Sequence, residues 1–169
     1  MQPLIARRLH NQQIAATTCT TPAQVVSHLL AMQAQDYLGT LWAVGLRLPS
    51  STESTIEGAM DDRTLVRTWP LRGTLHIVAA EDAAWLLALL APRQLAKQAG
   101  RRKQLGIDDD TLARSRAVCQ EALRSGKQLE RPAMFALLAA NGISTAGQRG
   151  IHILGHLAQE GLLCLGARS

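Results

Sequence analysis

Gln33 and Gln35 stand two apart in the stretch QAQDY, directly after TPAQVVSHLLAM. A pair of carboxamides can accept and donate hydrogen bonds to one small molecule such as a water, yet supplies little driving force for removing its proton. The two side chains can cooperate only if they face the same way. Positions i and i+2 lie about 200° apart on an α-helix, whereas they share a face on an extended segment. The pair therefore requires the preceding helix to end before Gln33. A second polar alternation lies in TLHIV, where a strand would put Thr74 and His76 on one face and Leu75 and Ile77 on the other. Arg67 and Arg72 border that segment.

The surrounding sequence supplies the elements that must hold these groups. Residues 3–12 form a short amphipathic candidate helix. Thr21 opens a second, with Pro22 at its first position and Gln24 three residues past the cap in a capping-box pattern. Val25, Val26, Leu29 and Leu30 form its buried stripe, and Asp36 caps a third short helix running toward Leu46. QAQ thus falls at a helix junction. Ser54 and Glu57 mark a cap before a helix through Met60. LVRTW, the turn PLRG and TLHIV read as a hairpin. Small helices followed by a hairpin is the winged-helix order.

EDAAWLLALLAPRQLAKQ reads as one or two helices interrupted at Pro92 and leads into a strongly basic stretch, in which Arg93, Lys97, Arg101, Arg102 and Lys103 lie with no acidic residue until Asp108. That run is either a solvated helix face or a phosphate-contacting edge. Asp109 or Asp110 caps the next helix, which stops at Ser125 and Gly126. Pro132 opens a helix through Ala140, Asn141 and Gly142 end it, Thr145 caps another to about Gln159, and LLCL after Gly161 reads as a strand. The helix-turn-helix order repeats, but this last strand has no returning partner before Ser169, so the chain is read as truncated. The expected fold class is mainly α with small β-hairpins, built from tandem winged-helix units. Residues 1–80 form the first unit with QAQ and its hairpin, 81–107 connecting helices and the basic stretch, and 108–169 a second unit with its wing cut short.

A chain of 169 residues can bury a real core, about 70% of its unfolded surface. Its net charge is +5, and 15 of its 18 basic residues are arginine. Arginine favours phosphate and carboxylate forks, so the balance suits a polyanionic partner. With aromatics at 3% a base-stacking platform is disfavoured, which points to duplex rather than single-stranded nucleic acid. On that reading Arg67, Arg72, Arg101, Arg102, Lys103 and Arg149 are DNA-contact candidates, and Thr74 and His76 face either DNA or the glutamine pair. The alternative for His76 is a core-edge ring bonded to backbone. Trp69 is read as packing rather than as a base wedge. Cys19, Cys119 and Cys164 are odd in number and widely spaced, which suggests neither a disulfide framework nor a zinc site. His152 and His156 resemble half a metal site without a third ligand, so no metal and no cofactor is expected. No secretory h-region or membrane span is legible, and a cytoplasmic monomer is expected.

QAQ after a first helix, the segment VRTWPLRGTLHIV and a later helix pair ending in QEGLLCLG together resemble the AlkZ-type winged-helix DNA glycosylases. RTWPLRGTLH is the most specific stretch of the likeness. The resemblance implies tandem winged-helix units curving around duplex DNA and hydrolysis of an alkylated purine from its sugar. It also implies a longer protein, with a further winged-helix unit beyond this chain. In that family the two glutamines hold the catalytic water, and they map onto Gln33 and Gln35. Some relatives have Asp at the second position, a stronger base than the Gln35 found here.

The chemistry agrees with that substrate class. Base release passes through an oxocarbenium-like state. A neutral purine needs an acid to leave, whereas one alkylated at N7 or N3 is already cationic and departs readily. An amide pair therefore suits alkylated purines. Asp36 faces the opposite side of an extended segment and is read as a helix cap rather than a base. The competing class is a non-catalytic winged-helix DNA binder or regulator, in which QAQ is a helix junction and nothing more. A helical protein-interaction module stands third, because it would leave the arginine excess without a role.

Overall fold

The computed structural model describes residues 2–168 and is mainly helical with one small sheet. The chain divides into two compact units, one running from the amino terminus through Leu86 and including Cys164–Arg168, the other spanning Leu87–Leu163.

In the first unit, helix α1 (Gln2–Asn11) precedes α2 (Pro22–Leu29). Thr21 caps α2, its hydroxyl accepting from the Gln24 amide at 3.2 Å, and Pro22 fills the first position where no donor is needed. The Gln24 side chain reaches back one residue further than a capping box requires, accepting from the Thr20 amide at 2.8 Å. The helix ends abruptly at Leu30, whose φ of 64° and ψ of −52° define a tight γ-turn closed by Ala31 N–H to the Leu29 carbonyl at 2.8 Å. Strand β1 (Met32–Gln33) follows at once, then α3 (Tyr37–Gly45) and α4 (Glu53–Asp61). The α4 cap is Thr52, in a reciprocal box with Thr55, rather than Ser54 with Glu57.

Strands β2 (Leu65–Thr68) and β3 (His76–Ala79) complete an antiparallel sheet of order β1-β3-β2. The connecting loop, residues 69–75, is longer than the PLRG turn expected and leaves Thr74 and Leu75 outside the strand. It reverses through Arg72 and Gly73, both at positive φ. One sheet face carries Met32, Leu65 and Ile77 into a core with Val25, Val26, Leu41, Val44 and Ile56. Trp69 packs against the same core, as expected of a structural tryptophan. Helices α2, α3 and α4, with β1 between the first two, followed by the β2-β3 hairpin make this unit winged-helix in form.

Helix α5 (Ala80–Gln104) is one continuous helix with Pro92 inside it rather than two. In the second unit α6 (Asp109–Ala122) is capped by Asp108, rather than by Asp109 or Asp110, through its carboxylate and the Thr111 amide at 2.8 Å. A short 3₁₀ turn at Arg124–Gly126 stops it, with Gly126 at φ 76°. Helices α7 (Arg131–Ala140) and α8 (Arg149–Gln159) form the helix-turn-helix, α8 starting later than the Thr145 cap implied. Leu112, Cys119, Leu138, Ile153 and Leu157 are its core.

The terminal segment corrects one expectation. Leu165 does have a partner: it pairs antiparallel with Arg67 on the free edge of β2 through two backbone bonds of 2.8 Å each. A strand edge is stabilised by whichever backbone can satisfy its donors, and here the tail does so.

Candidate active site

Gln33 and Gln35 lie on an extended segment, as the spacing required. Ala34 between them is completely buried, and its amide donates to the Leu75 carbonyl at 2.8 Å. The two carboxamides are exposed on the opposite face, where Gln33 Nε2 donates to Gln35 Oε1 at 3.2 Å. The γ-turn at Leu30 is what makes this possible: it breaks helical phase before Gln33 and delivers the chain into the ladder with β3. In this arrangement Gln33 Oε1 remains an acceptor, and Gln35 Nε2 and the second Gln33 proton remain donors. One water can be gripped by such a set.

Asp36 occupies the first capping position of α3 with extended dihedrals, but its side chain makes no capping bond. Its carbonyl instead accepts from Thr40 N at 3.0 Å and Thr40 Oγ1 at 2.6 Å. The carboxylate lies over Gly39, where an added Cβ would come 2.7 Å from Oδ2. Gly39 thus makes room for Asp36.

His76 sits directly opposite Gln33 on β1 and Thr68 on β2. The ring is 2% exposed, and Nδ1 lies 2.8 Å from the Thr74 carbonyl, so a neutral ring carries its proton on Nδ1. Burial pushes its pKa below the ordinary histidine value, with the Arg72 charge acting the same way against the opposing Thr74 bond. It is a core-edge ring bonded to backbone, on a residue that faces Gln33 across the β1–β3 ladder. Thr74 lies in the loop and its buried hydroxyl has no partner among the described residues.

Arg67 donates from Nε and Nη2 to the Gly166 carbonyl at 3.2 and 2.9 Å and covers the Tyr37 ring at 4.8 Å. Its guanidinium is engaged by its own chain. Arg72 is exposed at the loop tip. Tyr37 was not singled out from the sequence, although it is the chain's one tyrosine and follows QAQD directly. Its hydroxyl donates to Glu57 Oε1 at 2.6 Å and accepts from Arg168 N at 3.2 Å, locking the start of α3 to α4. Burial, then the Glu57 carboxylate, raises its pKa.

The basic candidates of the second unit differ in availability. Arg102 donates to the Leu95 carbonyl at 2.9 Å, and Arg149 donates to the Ser144 carbonyl at 3.0 Å and to that of Leu105. The Arg102 guanidinium is held against its own helix α5, and that of Arg149 ties the loops before α6 and α8. Arg101 is exposed and bonds Gln104 and Gln148 side chains, and Lys103 is exposed. His156 is buried 3.4 Å from Glu160, and burial holds its pKa low. Among the described residues no three His, Cys, Asp or Glu side chains gather as a metal site would require, and no helix is long and apolar enough to cross a membrane.

The family described as DNA glycosylase AlkZ-like matches residues 26–169. An interstrand DNA cross-link repair glycosylase of Streptomyces sahachiroi is 30% identical over 88 residues, which is 52% of this chain and 24% of that protein. The solved structure of the Streptomyces sahachiroi DNA glycosylase AlkZ superimposes with a TM-score of 0.75 at 23% identity, over 95% of this chain and 44% of the other. This chain therefore spans less than half the length of either relative.

Proposed function

The chain belongs to the AlkZ-like DNA glycosylase family, and on that premise we propose that it hydrolyses the N-glycosidic bond of alkylated purines in duplex DNA. The proposed substrate class is N7-alkylguanine, and the interstrand DNA cross-link in the name of the Streptomyces relative makes cross-linked duplex a further candidate. The observation that carries the reading is the mutual hydrogen bond of Gln33 and Gln35 on the exposed face of a segment whose intervening Ala34 is buried. A pair already joined in this way has less ordering left to lose when substrate arrives. Gln33 Oε1 and Gln35 Nε2 orient the water toward C1′ as the cationic base leaves with the glycosidic electron pair. No acid is required because the alkylated base already carries the positive charge. The partner is double-stranded DNA, contacted by exposed cations such as Arg72, Arg101 and Lys103, and the chain acts as a cytoplasmic monomer without metal or cofactor.

The test is release of 7-methylguanine from methylated duplex DNA. Gln33→Ala and Gln35→Ala should each lower the rate by about 10²-fold while binding to the same DNA is retained. Duplex binding without any base release by the unaltered chain would replace this reading with that of a non-catalytic DNA binder.

A further inference from the structure

The glutamine pair leaves one chemical requirement unmet, since neither amide can take the proton of the attacking water. The sheet places one group that can. The bond from Ala34 N to the Leu75 carbonyl makes that pair hydrogen-bonded, so the neighbouring pair Gln33 and His76 is of the close, non-bonded type, with Cα atoms about 4.5 Å apart and side chains on one face. We propose that His76 is the proton acceptor of the site, its Nε2 sharing with Gln33 and Gln35 the water that attacks C1′. This inference rests on the glycosylase reading above.

Three observations support it. The Thr74 carbonyl at Nδ1 fixes the tautomer in which Nε2 carries the lone pair, in the manner of the orienting third group of a nucleophile-base array. The same carbonyl stabilises the ring once Nε2 is protonated. Burial keeps the ring neutral below the ordinary histidine range, so it is in its basic form at neutral pH. Gln33 and Thr68 flank it from the neighbouring strands and neither titrates, and Arg72 is the charged side chain whose field reaches it.

The step balances. The C1′–N9 bond breaks with its electron pair going to the alkylated purine, which becomes neutral. The water oxygen bonds C1′, its proton passes to His76 Nε2, and the imidazolium returns that proton to solvent after the abasic product forms.

The experiment has two arms on the full chain. In the first, His76→Gln should lower kcat for 7-methylguanine release by about 10²-fold with KM unchanged. The unaltered chain should lose rate as pH falls through the depressed His76 midpoint, whereas the variant should show no such limb. An unchanged kcat, or an acid limb that survives the substitution, overturns the proposal. The second arm reads the ring without activity or any change at His76. Nitrogen-15 NMR should find the Nδ1–H tautomer, and Gln33→Leu with Gln35→Leu, both at exposed positions, should lower the His76 titration midpoint by removing the amides that hold the shared water. A ring whose shifts and midpoint ignore that double substitution does not share the water and sinks the inference. Absence of base release by the unaltered chain would count against the glycosylase reading, and the NMR arm would still decide whether His76 belongs to the glutamine pocket.

Discussion

In the proposed mechanism single residues carry the chemistry, and the difference between an amide and a carboxylate is measurable at Gln35. An amide orients water, while a carboxylate also accepts its proton. Gln35→Asp is therefore expected to keep or raise the rate of 7-methylguanine release, provided the Gln33 Nε2 donor still meets an oxygen at that position. Asp36, one residue on, behaves differently. It is exposed, and its side chain makes no capping bond to α3. Asp36→Ala should leave turnover unchanged and cost less stability than the roughly 1 kcal/mol typical of a bonded cap. Loss of base release in Asp36→Ala, with Gln35→Ala active, would show that the base had been assigned to the wrong side chain.

Among the elements, the junction between α2 and β1 decides the site. Leu30 adopts a conformation that a side chain at Cβ disfavours, with φ at 64°. Strain of this kind typically costs about 1–3 kcal/mol and persists where the surroundings demand it. Here the demand comes from the buried stripe of α2 behind the turn and the β1 ladder ahead of it. Leu30→Gly should relieve that strain, raising unfolding stability by about 1 kcal/mol in a denaturant titration while preserving the Gln33 to Gln35 bond. A destabilised Leu30→Gly would mean that the half-exposed leucine side chain contributes more through packing than its backbone costs. The tail is the second deciding element: by pairing Leu165 with Arg67 it satisfies the β2 edge and holds the Arg67 guanidinium over Tyr37.

For the molecule as a whole, the charge of +5 is carried mainly by arginine, and its use is uneven. Arg67, Arg102 and Arg149 donate to backbone carbonyls, while Arg72, Arg101 and Lys103 are exposed. Duplex affinity should fall with salt at a logarithmic slope of about −0.9 per phosphate neutralised. Arg101→Glu and Lys103→Glu should weaken binding to all sequences alike and flatten that slope, as read by fluorescence anisotropy at several salt concentrations. A slope unaltered by both reversals would place the phosphate contacts elsewhere on the surface.

Periodicity and local chemistry determined a good part of this protein. The Thr21 cap, the helix from Pro132 and its end at Asn141 and Gly142, the hairpin strands and the extended disposition of QAQ are each written in short-range rules of side-chain size, capping and alternation. The likeness to AlkZ-type glycosylases was legible too, because VRTWPLRGTLHIV lies in one continuous stretch. What spacing could not express was decided by tertiary structure. Leu30 takes a positive φ for long-range reasons, Glu57 serves the Tyr37 hydroxyl 20 residues away rather than a cap, and Leu165 finds its partner 98 positions earlier at Arg67. His76 shows the division within one residue. Alternation put it on the face opposite Leu75, but the strand register alone set it beside Gln33, because pairing between distant segments is chosen by the shared core and not by either segment's own sequence.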